Sequence, residues 1–179
     1  HLHVGAVSSV RFAIELLMES MNAINPFAPF CLDANPIPIN GLVWMNDIEK
    51  MLNEAISKWK LGFTCIKFKV GALSFQDEWE MIREFRQLVG PNVQIRLDAN
   101  GAWSEQEALE KLNQLAKFNI HSIEQPIPKG NWPGLNRITQ QSAIPIALDE
   151  ELIGCPTERM EDLIKEIAPQ YLVLKPSLH

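Results

Sequence analysis

The stretch TCIKFKVGALSFQDEWEMIREFRQLVGPNVQIRLDANG, from Thr64 to Gly101, decides the fold. Its opening, Thr64–Val70, is a short run rich in apolar residues and reads as a strand. Helical spacing follows over about 74–89, Gly90-Pro91 stops that helix, and a second short apolar run begins at Val93 and ends at Ala99. The pattern then returns downstream. A helix at about 104–117 precedes strand Ile120–Glu124, one at about 131–141 precedes Ile144–Leu148, and one at about 157–167 precedes Tyr171–Leu174. Upstream, a short apolar run at Ile39–Trp44 is followed by a helix over about 46–60 that ends at Gly62. Six strands separated by helices predict a parallel sheet with helices packed outside it, either an open doubly wound sheet or a (β/α)8 barrel. No GxGxxG or P-loop follows the first strand, which weighs against the nucleotide-binding open sheet.

Ahead of this rhythm, Val10, Ile14, Leu17 and Met21 recur at helical spacing behind Ser8 and Ser9, predicting an amphipathic helix over about 8–23 that Asn25-Pro26 closes. A proline-rich stretch, Pro26–Pro38, leads into the first strand. The 179 residues are expected to form one domain over 1–179, with a leading helix in 1–25 and successive βα units over 39–176. A chain of that length buries about two-thirds of its unfolded surface in a single core.

Composition excludes several classes. Hydrophobic residues at 46% and charged residues at 21% are ordinary for a globular protein and rule out a disordered or collagen-like chain. No apolar run approaches the roughly 18 residues of a membrane span, so a membrane partner is not expected. The net charge of −6 offers no positive field to a phosphate backbone, so nucleic acid is not expected either. Cys31, Cys65 and Cys155 form no CxxC pair and leave an odd thiol, which argues against a disulfide framework or a structural zinc and fits a reducing cytoplasm. The chain opens at His1 with no visible signal peptide and reads as a portion of something longer.

The C-terminal end of each later strand carries a residue foreign to an apolar core: Lys67 and Lys69, Asp98, Glu124, Asp149 and Lys175. From Lys69 onward these are 29, 26, 25 and 26 residues apart, close to one βα unit each time. In a barrel, such positions converge on the mouth where chemistry is done. Taken singly, each has an ordinary explanation: an Asp after a strand is usually a cap or turn residue, and a Lys-x-Lys is usually a solvated face. Five in succession at matched positions are much harder to explain that way.

Three carboxylates meeting in one pocket repel by about 4 kcal/mol per pair at 4 Å and an effective dielectric near 20, so a cation must sit between them. Oxygen donors without His or Cys favour Mg²⁺, with Mn²⁺ as a substitute. Lys67 and Lys69 share a strand face, and two ammonium groups beside a dication depress each other's pKa toward the range of a base. Lys175, from the opposite side of the barrel, can act as a second acid/base or as a cation stacked over a planar anionic intermediate, and the parts amount to removal of a proton next to a carboxylate with metal-held enolate stabilisation. By the same alternation Arg96 and Asn100 share the face of Asp98, so Arg96 is expected to pair with the carboxylates and Asn100 to reach the pocket. Glu150 has the opposite parity to Asp149 and either braces a lysine or faces a helix. His1, His3, His179, Trp103 and Trp132 are weaker candidates, and alternation turns His121 away from the pocket.

The motifs Ile66-Lys67-Phe68-Lys69, Arg96-Leu97-Asp98-Ala99-Asn100-Gly101-Ala102-Trp103, Ile123-Glu124-Gln125-Pro126, Ala147-Leu148-Asp149-Glu150 and Leu174-Lys175-Pro176-Ser177 together resemble the enolase superfamily, muconate-lactonizing subgroup. Within it the likeness is greatest to the o-succinylbenzoate synthase family of menaquinone biosynthesis, over about residue 8 to the end. Sites pairing a Lys base with Mg²⁺ are a known pattern of that superfamily. The resemblance implies Asp98, Glu124 and Asp149 as Mg²⁺ ligands, Lys69 as acid/base, Lys67 as its tuner and substrate-carboxylate contact, and Lys175 as the cation on the other side of the enediolate. It implies a small-molecule carboxylate substrate, 2-succinyl-6-hydroxy-2,4-cyclohexadiene-1-carboxylate, and syn loss of water. An N-acylamino acid racemase or dipeptide epimerase uses the same machinery, but epimerases usually carry a second Lys-x-Lys on the sixth strand, and here Val173 precedes Lys175 by two.

The family has an N-terminal capping domain that this sequence does not contain, and a full barrel takes about 250 residues. The expectation is therefore a partial (β/α)8 barrel of about six strands, an enzyme portion that alone is inactive or forms abnormal oligomers. A non-catalytic barrel fragment is the remaining alternative.

Overall fold

Each apolar run of the repeating pattern forms a strand in the computed structural model, which describes residues 8–21 and 36–178. In chain order the elements are α1 Ser8–Met21, β1 Gly41–Val43, α2 Ile48–Lys60, β2 Cys65–Lys69, α3 Phe75–Val89, β3 Gln94–Asp98, α4 Glu105–Leu115, β4 Ile120–Glu124, α5 Trp132–Gln141, β5 Ile146–Leu148, α6 Thr157–Ile167 and β6 Tyr171–Leu172. Short 3-10 turns stand at Ala116–Phe118 and Pro176–Leu178. The chain divides into two compact units, one of Ile39–Val173 and one of His1–Pro38 with Leu174–His179. The expected helix end at 22–25, most of the proline-rich stretch, Cys31, His1, His3 and His179 lie outside the described residues.

In the larger unit all six strands pair in parallel, in the order β1-β2-β3-β4-β5-β6. A doubly wound sheet would reverse order at a switch point. Strictly consecutive order is the winding of a βα barrel, which settles the choice that the sequence alone leaves open.

Register places like residues side by side. Phe68 pairs with Leu97 and Leu97 with Ile123, while Lys69 pairs with Asp98 and Asp98 with Glu124. Phe68, Leu97 and Ile123 are fully buried, and the Phe68 ring meets Phe85 of α3 edge-on with centroids 5.2 Å apart. One face of the sheet therefore carries the apolar packing with the helices. Burial of such side chains is the main stabilising contribution, about 1.5–3 kcal/mol each.

Helix starts are written into the loops that follow the strands. Ser74 Oγ accepts from the Asp77 amide, Ser104 and Glu107 form a capping box, and Asn131 Oδ1 accepts from the Gly134 amide. The loop after β3 needs its glycine. Gly101 has φ +75°, and a Cβ there would lie 3.0 Å from the Pro128 Cα.

The second unit contains α1, whose Val10, Leu17 and Met21 are exposed, and the Pro176–Leu178 turn, in which the Leu178 amide donates to the Lys175 carbonyl. Among the described residues no helix is long and apolar enough to cross a membrane.

Candidate metal centre and active site

Parallel register with an alternation of two puts Lys69, Asp98 and Glu124 in one row across three neighbouring strands. Glu124 pairs in turn with Ala147, and Asp149 lies two residues further along that chain, on the same side of the alternation. The result is a cluster: one oxygen each from Asp98, Glu124 and Asp149 lies within 4.8 Å of the others, and all three residues are buried.

The two lysines of β2 meet these acids. Lys69 Nζ donates to Asp98 Oδ2 at 2.6 Å and to Asn100 Oδ1 at 2.7 Å. Lys67 Nζ donates to Glu124 Oε2 at 2.5 Å and lies 3.1 Å from Asp98 Oδ2. The Trp44 ring, in the loop after β1, has its centroid 5.6 Å from Lys69 Nζ.

Burial and charge compete at each group. Burial works against the Asp98 carboxylate, but the bond from Lys69 and the charges of both lysines outweigh it and hold its pKa below the usual value. Burial raises Glu124, and the Asp98 charge adds to it against the opposing pull of Lys67. Burial also opposes the Lys67 charge, yet its bonds to Glu124 and Asp98 prevail and raise its pKa. Sequence reasoning expects Lys67 to be depressed beside a dication. With carboxylates as its partners the direction is upward, because opposite charges favour the ammonium form.

The remaining sequence candidates divide. Asn100, at φ +45°, bridges two loops: its Oδ1 accepts from Lys69, its Nδ2 donates to Glu150 Oε1 at 2.7 Å, and its amide donates to Asp98 Oδ1 at 3.2 Å. Glu150 thus meets Asn100, whose Oδ1 accepts from Lys69, rather than a lysine directly. Arg96 sits beside Lys67 in register, but its guanidinium donates to Gln94 Oε1 at 3.5 Å, while the ion pairs of Asp98 and Glu124 are with Lys67 and Lys69. Lys175 follows β6 and belongs to the second unit. Trp103 is packed in the core, and its ring carries the Lys111 ammonium at 5.1 Å. The strict alternation used for His121 is interrupted by a register shift between Ile95 and Arg96, and its ring stacks 4.9 Å from that of Tyr171.

Three residues beyond the sequence candidates also shape the site. Glu78 of α3 is buried and accepts from the Gly71 and Leu73 amides at 2.7 and 3.2 Å, fastening the loop after Lys69; burial raises its pKa. Glu151 accepts from the Trp132 indole at 2.6 Å and the Gly130 amide at 3.0 Å. Gln125 is fully buried beside it. Glu124-Gln125-Pro126 and Asp149-Glu150-Glu151 are visible as motifs, but nothing in the spacing separates the ligands from the residues that hold them.

Three buried carboxylate oxygens without imidazole or thiolate form a hard donor set, which fits Mg²⁺ or Mn²⁺ and does not suit zinc or copper. A family model described as Enolase C-terminal domain-like matches residues 50–178. The o-succinylbenzoate synthase of Desulfotalea psychrophila is 37% identical over 97% of this chain and 49% of its own length. Two solved structures are similar in fold. A dipeptide epimerase from Cytophaga hutchinsonii, complexed with Mg and a dipeptide, has TM-score 0.72 and 35% identity over 79% of this chain and 38% of its own. The o-succinylbenzoate synthase of Thermosynechococcus elongatus BP-1, with Mg in its active site, has TM-score 0.71 and 28% identity over 80% of this chain and 45% of its own. The chain spans about half the length of the curated relatives it matches. With a consecutive parallel βα sheet and acids at its strand ends, this chain belongs to the enolase C-terminal domain-like family.

Proposed function

We propose that this chain is the catalytic part of a Mg²⁺-dependent lyase of the o-succinylbenzoate synthase type, acting on a small carboxylate substrate. The observation that carries the reading is the convergence of Asp98, Glu124 and Asp149 beside Lys67 and Lys69. Asp98, Glu124 and Asp149 would hold the ion, which when bound supplies a Lewis acid for charge building on the substrate carboxylate.

The chain's own residues divide the rest of the work. Lys69, in its free amine form, takes the α-proton, and the electrons of the broken C–H bond form a planar anion. The same lysine, now an ammonium, gives that proton to the departing hydroxyl as the C–O bond breaks, so water leaves and a C=C bond forms. Asn100 and Asp98 hold the Lys69 nitrogen in place between the two transfers. Lys67 offers its ammonium to the substrate carboxylate, as the family resemblance implies.

Epimerisation by the same proton transfer is the second reading, favoured by the likeness to the Cytophaga hutchinsonii epimerase, which at 35% identity is greater in sequence than that to the Thermosynechococcus elongatus synthase at 28%, with TM-scores of 0.72 and 0.71. Val173, where an epimerase usually has the first lysine of a second Lys-x-Lys, supports dehydration. The test is solvent-deuterium exchange at the substrate α-carbon by the intact protein, followed by assays of dehydration and of N-succinyl amino acid racemisation. Exchange with dehydration alone supports the synthase. Racemisation without dehydration moves the assignment to the second reading, and no exchange with either substrate class overturns both.

A further inference from the structure

Gln125 follows Glu124 in the chain, is completely buried, and has φ +38°, a left-handed conformation that a residue other than glycine keeps only where its surroundings hold it. What holds it is a set of bonds to the segments that carry the three clustered acids. Its carbonyl accepts from the Gly101 amide at 2.7 Å, on the loop that begins at Asp98. Its Oε1 accepts from the amides of Asp149 at 3.4 Å and Glu151 at 3.2 Å. Its own amide donates to the Ala147 carbonyl at 2.9 Å, and its Nε2 donates to the Ile127 carbonyl at 3.1 Å and to Glu151 Oε2 at 3.4 Å.

Glu151 completes the brace. The residue is 7% exposed, and besides Gln125 its carboxylate takes the Gly130 amide and the Trp132 indole, so neutral N–H groups fix its position and it in turn fixes the orientation of the Gln125 amide. The oxygen of that amide is thereby aimed at the Asp149 segment, and a rotation would leave two backbone amides unsatisfied.

We infer that Gln125, oriented by Glu151, is a positioning residue that sets the spacing of Asp98, Glu124 and Asp149 and thereby the affinity of the site for a hard divalent cation. The inference rests on the reading of those three acids as metal ligands. Groups that orient ligands without touching the ion typically change metal affinity by about 10–100-fold when removed.

The experiment is calorimetric titration of the intact protein with Mg²⁺ alone, at a temperature where every variant is folded. Gln125→Ala is expected to weaken binding by about 10–100-fold. Glu151→Gln keeps the side chain's shape but can face Gln125 Nε2 with a second donor, and is expected to weaken binding by a smaller factor, above about threefold. Leu112→Ala, in the buried face of α4, serves as the control: it is expected to melt earlier with Mg²⁺ affinity unchanged. Wild-type affinity in Gln125→Ala, or in Glu151→Gln should the alanine variant not fold, overturns the inference. An equal loss in Leu112→Ala also overturns it, since affinity would then merely track stability. A wild-type protein that takes up no Mg²⁺ overturns the underlying metal reading as well, which tells the two failures apart.

Discussion

The two faces of one sheet are built on opposite terms. On the helix side of β2, β3 and β4, Phe68, Leu97 and Ile123 lie in register, are fully buried, and need only shape and volume. One residue further along, Lys69, Asp98 and Glu124 lie in register on the other side, equally well defined in position but held by charge and hydrogen bonds. The apolar row stabilises whatever the pH or ligand. The charged row puts three carboxylates beside two ammonium groups, so its balance depends on what else enters. The contrast assigns stability to one face and chemistry to the other.

Substitutions that respect or violate this division test it. Lys69→Ala on the charged face is expected to lower α-proton exchange by about 10²–10⁴-fold in the fraction that is folded, with Asp98 keeping Lys67 as its remaining ion-pair partner. Undiminished exchange would remove Lys69 from its role. Phe68→Ala, one residue away on the other face, reverses the pattern: it is expected to cost about 3–5 kcal/mol in urea unfolding through the cavity it opens, with Mg²⁺ affinity of the folded fraction retained. If the two variants gave the same profile, the faces would not be separable. A smaller effect is expected where the site is braced by neutral donors. Trp132→Phe removes the indole N–H from Glu151 and should lower stability by about 1–3 kcal/mol, read from the same urea curves.

The smallest effect concerns pH. Burial lowers the pKa of His121 below its ordinary value of 6.5, and the nearby Arg96 charge lowers it further. The unfolded chain therefore binds a proton first as pH falls. Its contribution to stability is fully present above the unfolded value and is lost as pH drops through 6.5 toward the folded pKa. His121→Gln should flatten that part of the stability-pH profile, and an unchanged slope would show that His121 is not responsible.

The fold was legible because its signal is local. Thr64–Val70 became Cys65–Lys69, and the βα rhythm carried the sheet without any knowledge of which strands touch. The choice of barrel winding came only with the strand order. The acids were legible too, since strand ends recur at near-constant spacing. Their braces were not. Asn100 and Glu150 are 50 residues apart, and Glu150 comes within reach because the turn after β5 ends the alternation on which its parity was judged. Arg96 was expected among the carboxylates from its face alone, but a long side chain can lean along the strand, and this one meets Gln94. Gln125 looks like a neighbour of Glu124, and its importance lies in bonds to segments up to 26 residues away.

The most direct measurement is a crystal structure of the intact protein grown with Mg²⁺. The account requires an ion bounded by one oxygen each from Asp98, Glu124 and Asp149 at about 2.0–2.1 Å, with Lys69 beside it. An ion bound elsewhere, or these three side chains turned away from one another with no ion between them, would contradict it.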